Sequence, residues 1–461
     1  MKVIQYSNFC GLDCSTTEVV APQVNFVKLD NYIPSIRKGG IVKRHGSKSY
    51  ATTGDVWGIG GWKKIGTTPR VPTKEIVIRH RRASSISYFE KYNAGSDGWD
   101  SITLGAQTVF STGDVTRFAQ VGDLLAICGG RPAKIIDAGT GSISRLGGSA
   151  PASAPTLASG GAGAITGTYY YVYTLYDSTT GWESSPSPIS TVFTASANTV
   201  TVTASVTTAD REGVDKKRIY RTITTGEQPF LKVGEIALAT TSYSDNTGDI
   251  ALGASSPNIA DHDPPPTSSY LCCSHLGRVW IASGNQVFYS KPYQTTLSDL
   301  EYFALDRTFT FPGYVTGLLV SPSGSLLVFC PPGVGVWEIR GRTPDEFVSV
   351  VYLSSEGTNY PSSICSREKN FVYWGDSGPR LVSDGNLIQG FGDSAQPYFS
   401  QFIDTAFDDD VFVWSVWSEQ YKQFIFGLAG TIVGAGQWIT EGGMMNQWED
   451  GTTHNVVSWH T

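Results

Sequence analysis

Residues 270–290 read YLCCSHLGRVWIASGNQVFYS: a short apolar strand, a tight turn at Gly277, a second apolar strand, and a smaller third one rich in aromatic residues. The same order recurs in VTGLLVSPSGSLLVFCPPGVGVWEI (315–339) with its turn at Gly324, in SSICSREKNFVYWGDSGPRLVSDG (362–385) near Lys369, and in DVFVWSVWSEQYKQFIFGLAGTIVG (410–434) near Gln420. Successive turns are 47, 45 and 51 residues apart. A period of that size, with several strands and glycine-marked turns in each unit, matches a four-stranded propeller blade and its connections. The repeat has no fixed signature residue. Strands about every 8–12 residues also suit an all-β sandwich, which stays open as an alternative for this half.

An earlier copy, VTRFAQVGDLLAICGGRPAKIID (115–137), turns at Gly122, 155 residues before Gly277. The segment from Pro151 to Ile259 between them has a different character, and removing its 109 residues leaves 46, one blade period. It follows the linker SRLGGSAPASAP and runs into a second, SSPNIADHDPPPTSS, and such Gly/Ala/Ser/Pro stretches mark domain boundaries. Thr168–Leu175, Thr199–Val206, Lys217–Ile223 and Phe230–Ile236 alternate in polarity within it, which describes a small sandwich. Upstream, KEIVIRHRRASSISYFEKYNAGSDGWDSIT (74–103) supplies two further strands and GGIVKRHGSKSYA (39–51) a shorter one. The expectation is an all-β chain: a β-propeller of six or seven blades in 1–150 and 260–461, interrupted at 151–259 by an immunoglobulin- or fibronectin-like β-sandwich. Ring closure removes exposed sheet edges, and the N-terminal strand is the candidate to complete the last blade.

Composition supports this class. Among 461 residues there are 51 glycines, 23 prolines and 55 aromatics but only 3 methionines, a balance suited to short strands and turns rather than helix bundles. With 34 basic against 41 acidic residues the net charge is −7, which argues against tight wrapping of nucleic acid. No apolar run approaches a membrane span, and MKVIQYSNFCGL lacks the apolar core of a secretory signal. The cysteines at 10, 14, 128, 272, 273, 330 and 365 are scattered and read as reduced, buried thiols of a protein made in a cytosol.

No chemistry-bearing constellation emerges. Cys10 and Cys14 lack a second pair for structural zinc, and Cys272 and Cys273 point to opposite faces of a strand. No G-x-S-x-G elbow is present, and His45, His80, His262, His275, His454 and His460 all read as surface or turn residues. NAGSDGWDSI (93–102) has the letters of a sialidase box without its spacing, and Trp99 reads as packing between blades. GGAGAITG (160–167) is a linker entering a strand and GIGGWKK (58–64) has no helix after it, so neither is a phosphate loop. Trp414, Trp417, Trp438, Trp448 and Trp459 read as core before carbohydrate platform. The expected protein is no enzyme and carries no cofactor or metal. Asp404, Asp408, Asp409 and Asp410 form an acidic cluster that reads as a solvated loop, as a lumen-facing surface repelling DNA phosphates, or as a calcium loop.

Three stretches resemble the tail nozzle, or tail tubular, proteins of short-tailed bacteriophages. They are NFCGLDCSTTEVVAPQVNFVKL (8–29) with GGIVKRHGSKSYA, then GTYYYVYTLYDSTTGWESSPSP (167–188), and KKRIYRTITTGEQPFLKVGEIALATTSYSDNTGDIALG (216–253), similar to the Arg-Ile-Tyr-Arg pattern of the fibronectin-like insert in that family. The resemblance covers about a quarter of the chain. It implies a virion structural protein, assembled in the bacterial host cytoplasm into a homo-oligomeric, hexameric ring at the distal end of the tail. Its implied partners are a tail adaptor protein and tail fibre or spike proteins, with phage DNA passing through unbound and no membrane insertion. A glycan-binding or glycan-hydrolysing propeller with an accessory fibronectin-like module is the alternative, separable by mass and by sugar release.

Overall fold

The structure is a computed structural model. It describes residues 55–63, 76–83, 86–107, 110, 115–136, 141–224, 229–257, 261–294, 296–367, 369–376, 378–383 and 386–388. Beyond these it describes only the strands 11–12, 25–26, 32–34, 41–43, 412–418, 423–429, 444–447 and 453–459. The chain is all-β, a succession of four-stranded antiparallel sheets of the β-propeller type interrupted by a sandwich. Among the described residues there are six such sheets, each formed of strands close in sequence. Two units divide the chain: Ala51–Thr310, and Met1–Tyr50 with Phe311–Thr461.

The first unit holds three of the sheets. Sheet A comprises Asp55–Trp62, Ile76–Ala83, Ile86–Asn93 and Gly98–Ile102, and sheet B Arg117–Val121, Leu124–Cys128, Ala133–Ile136 and Ser144–Arg145. Sheet C comprises Leu271–His275, Arg278–Ser283, Gln286–Tyr289 and Thr308–Thr310. Trp62, Ile78, Phe89 and Ile102 of A pack on Leu125, Ile127 and Ala133 of B. The opposite face of B places Val121, Leu124, Ala126 and Cys128 against Val279 and Ile281 of C. A strand covered on both faces needs apolar side chains at every position, which is why LLAIC (124–128) is a continuous apolar run with all five residues buried.

In the second unit sheet D (Gly317–Val320, Leu326–Phe329, Val336–Arg340, Val348–Leu353) packs on sheet E (Cys365–Arg367, Asn370–Gly375, Gly378–Ser383, Asn386–Ile388). Leu327, Phe329 and Val336 meet Phe371, Tyr373 and Val382 there. Sheet F takes all four strands from the chain's last fifty residues: Phe412–Ser418, Gln423–Ala429, Met444–Gln447 and Thr453–Trp459. Among the described residues no N-terminal strand, the expected closing strand, joins F. Met444–Gln447 pairs with Thr453–Trp459 within F, while Gly11–Leu12 pairs with Asn25–Phe26 and Tyr32–Pro34 with Ile41–Lys43. The turns expected at Gly122, Gly277 and Gly324 lie between strand pairs, with φ of 58°, 66° and 90°, a region that favours glycine.

Between B and C lies the inserted sandwich. One sheet orders Thr156–Tyr169, Phe193–Thr203 and Ser242–Asp245; the other Tyr171–Tyr176, Lys216–Arg221 and Leu231–Ala237. Their inner faces meet through Ile165, Tyr169, Tyr173, Val200, Val202 and Ile219. The run TYYYVYTL is not one strand, because the chain changes sheets at Tyr170. GGAGAITG lies within the strand Thr156–Tyr169, a correction to its reading as linker: small residues fit an exposed edge with several register shifts.

Two local devices complete the lobe. Ser184, Ser187 and Ser190 run beside Tyr171–Tyr176, each donating its backbone N–H to a strand carbonyl, of Leu175, Tyr173 and Tyr171, at 2.9, 2.8 and 3.0 Å. Each hydroxyl oxygen accepts the N–H of the same strand residue, at 2.9, 3.1 and 3.0 Å. The hydroxyls donate onward to the carbonyls of Ser185, Pro188 and Thr191. Side-chain oxygens thus replace the carbonyls of a seventh strand, three residues advance against two, and prolines fit where no N–H is required. The second device is Arg-Ile-Tyr-Arg (218–221). Alternation sends Ile219 and Arg221 inward, where Arg221 donates to Asp245 (2.9 Å) and Asp249 (2.5 Å). Arg218 donates to Glu183 (2.6 Å) and Glu235 (2.8 Å), and the Tyr220 hydroxyl to Glu183 (2.5 Å).

Candidate functional site at the seat of the lobe

Among the described residues a dense set of buried ionisable groups lies where the sandwich meets sheets B and C. Two lobe segments provide it: the turn after Tyr171–Tyr176, carrying Asp177 and Trp182, and the loop before Lys216–Arg221, carrying Asp210, Arg211 and Glu212. Asp177 accepts the N–H groups of Thr179 (2.9 Å) and Thr180 (3.2 Å) and the Thr180 hydroxyl (2.6 Å), the self-capping turn that Asp-Ser-Thr-Thr-Gly favours.

Glu301 ends the 3-10 helix Leu297–Glu301, and its carboxylate is fully buried. It accepts Arg211 Nε at 2.9 Å and Nη2 at 3.0 Å, a bidentate fork, together with the Gly147 N–H at 3.0 Å, and it pairs with Lys134 of sheet B. Arg211 spends Nη1 on Asp177 at 2.9 Å and stacks 4.6 Å from the Trp182 ring. Beside this group Glu212 accepts the N–H groups of Gln107 (2.8 Å) and Arg145 (2.9 Å), while Arg145 pairs with Asp210. Burial alone would raise the Glu301 carboxyl, but Lys134 and Arg211 outweigh it and hold it below the usual carboxylate range. Burial brings Lys134 down to about 8 against the pull of Glu301. Two cations and two carboxylates thus neutralise one another in a buried cluster. That is the chemistry of a latch, since no face of the set opens to a substrate.

Polar contacts between the neutral groups extend the seat. The Glu183 N–H donates to the Tyr302 hydroxyl at 2.9 Å, the Ser298 hydroxyl to Thr180 O at 3.0 Å, and His262 Nδ1 to Glu183 O at 2.8 Å. The His262 ring stacks on Tyr302 at 3.9 Å.

The sequence-derived candidates fall elsewhere. Asp404, Asp408, Asp409 and Asp410 lie outside the described residues, as do Cys10, Cys14, His45, His460, Trp438 and Trp448. His80 and His275, read as surface or turn residues, are buried. Trp99 lies under the Arg79 guanidinium at 4.0 Å and edge-on to Tyr92 within sheet A. Trp414 and Trp417 are half-buried, and Trp417 meets Phe424 at 4.9 Å. The five described cysteines are free thiols. Among the described residues no group of three or more His, Cys, Asp or Glu could hold a metal, and no helix is long and apolar enough to cross a membrane. The lobe bears an open depression of about 320 Å³ lined by Asp215, Lys216, Glu235, Ile236 and Ala237.

Away from the seat, His80 of sheet A has a pH signature of its own. Its Nδ1 sits 2.6 Å from Thr116 Oγ1 and its ring stacks on Phe89 at 4.6 Å. Burial, reinforced by Arg82, lowers the imidazole from 6.5 to about 4. Below pH 6.5 the unfolded chain takes up a proton that the folded chain refuses until about 4, so stability falls over that window by about 3 kcal/mol. Urea unfolding of wild type and His80→Gln at pH 7, 5 and 4 is expected to show a steeper acid loss in the wild type; parallel losses would refute this assignment.

No protein-family model matches this chain, and no curated protein does. Among solved structures, a Lactobacillus plantarum protein superposes with a TM-score of 0.27 at 10% identity, over 78% of this chain and 91% of its own. Puromycin hydrolase superposes with 0.29 at 10% identity, over 82% and 56% respectively. A quinoprotein alcohol dehydrogenase-like protein from Bacteroides thetaiotaomicron superposes with 0.25 at 9% identity, over 81% and 82%. No activity transfers at that distance.

Proposed function

We propose that this chain is a structural protein of a short phage tail, a subunit of the distal nozzle ring whose sandwich lobe is a fixed bracket for neighbouring tail proteins. The observation that carries this reading is the latch: Glu301, Lys134, Arg211 and Asp177 tie the lobe to two sheets through buried charge. A lobe on a linker samples orientations, whereas a latched one presents a single orientation, and a symmetric assembly repeats that orientation in every copy. The Arg-Ile-Tyr-Arg stretch that carries the family resemblance is spent on ion pairs internal to the lobe. This use supports a scaffold role. In the proposed ring the adaptor and fibres bind outer surfaces, and DNA passes without sequence-specific contacts.

Light scattering of the purified full chain tests the proposal. Six copies of a 49.7 kDa chain give a particle of about 300 kDa, either alone or on addition of the adaptor protein. A monomer under both conditions that releases sugar from host cell-wall extract would instead establish the glycan-directed alternative.

A further inference from the structure

The last two strand pairings of sheet C bring three cations to one corner. Trp280 lies opposite Tyr289, and Phe288 opposite Thr308. The register continues past the strand ends, since the Ser290 N–H donates to Val279 O at 2.9 Å and the Tyr289 N–H to Arg307 O at 3.3 Å. Arg278 therefore stands opposite Lys291, and Arg307 opposite Tyr289, all on the face that carries Trp280.

Their charges are not matched. Arg278 is only 6% exposed, donates Nη1 to Ser290 O at 2.7 Å, and lies 5.5 Å over the Tyr289 ring. Among the described residues no carboxylate stands at ion-pair distance from Arg278, Lys291 or Arg307. Nη1 of Arg307 is buried without any partner. Burial depresses Arg278, with Arg307 adding to it, and burial likewise depresses Lys291, where Asp261 and Asp299 pull the other way from longer range and Arg307 again opposes them. Buried cations are ordinarily paired, because desolvation without a counter-charge costs several kcal/mol. The seat of the lobe in the same unit obeys that rule; here buried Arg278 departs from it, beside half-buried Arg307 and Lys291, the latter 5.2 Å from the Tyr302 ring.

We propose that the Arg278, Lys291 and Arg307 corner of sheet C is a binding site for a phosphate group. Two guanidinium forks match oxyanion geometry, and the ammonium adds a point charge from the strand opposite Arg278. The phosphate comes either as the free anion or as a sugar phosphomonoester, and the site is independent of the assembly reading.

The test titrates inorganic phosphate into the full chain at constant ionic strength set with sodium chloride, following the thermal midpoint and the ³¹P line width. A parallel arm compares glucose 6-phosphate with glucose. A saturable rise in midpoint is expected with phosphate, with affinity at least tenfold weaker in the double variant Arg307→Gln/Lys291→Gln, whose two positions are half-buried and compatible with folding. Tighter binding of glucose 6-phosphate than of phosphate identifies the phosphomonoester as the source; weaker binding identifies the free anion. Absence of any saturable effect beyond that of chloride, or equal affinity in the folded double variant, overturns the proposal.

Discussion

Replacing Glu301 by Ala is expected to lower the unfolding free energy by about 3–5 kcal/mol, because the substitution leaves Lys134 and Arg211 as buried cations with one carboxylate, Asp177, between them. The Gly147 N–H would lose its acceptor at the same time. Urea unfolding of the full chain measures the loss. Hydrogen exchange adds location, since amides of the Asp210–Gly213 loop are expected to lose protection before those of sheet B. A control removes the charges together: Glu301→Met, Lys134→Met, Arg211→Met with Asp177→Asn leaves no stranded ion, and such replacements recover most of the loss. A deficit below about 1 kcal/mol for Glu301→Ala would mean that the latch is not what fixes the lobe.

The serine ladder should respond on a similar scale. In the triple variant Ser184→Ala, Ser187→Ala, Ser190→Ala the N–H groups of Leu175, Tyr173 and Tyr171 lose their acceptors inside the lobe. Each stranded donor costs about 1–3 kcal/mol, so the triple variant is expected to lose about 3–9 kcal/mol. Ser187→Thr keeps the hydroxyl and is expected to retain most of the stability that Ser187→Ala loses. If thermal unfolding of the alanine and threonine variants coincides, the hydroxyl is not the acceptor that holds this edge.

The two kinds of interaction explain what could be read from the chain and what could not. Sheets were legible because glycines with left-handed φ punctuate them at Gly122, Gly277 and Gly324, and because strands covered on both faces, such as Leu124–Cys128, are continuous apolar runs. The lobe was legible from its linkers and its alternating strands. The latch was not: Lys134, Asp177, Arg211 and Glu301 are separated by tens of residues, and each alone resembles a surface charge. Asp177 alone had a local signal, in its turn with Thr179 and Thr180. The serine segment misleads for a different reason, since Ser and Pro mark loops by composition while here their hydroxyls complete a sheet edge. His80 is hidden among arginines in Ile-Arg-His-Arg-Arg, where polarity suggests an exposed strand although Ile78, Arg79 and His80 are all buried, the arginine paired with Glu90.

At Gly147 the backbone is at a φ of 70°, and an added Cβ would come within 2.8 Å of Pro265 and 3.3 Å of Pro264. The chain thus leaves for the lobe and returns from it at neighbouring points, so a short graft across that gap could exchange everything between them in one genetic event. Lys134 and Glu301 would remain behind as a mutually neutral couple, ready to receive any newcomer that brings its own arginine and aspartate. Any such exchange would leave sheets B and C as they stand.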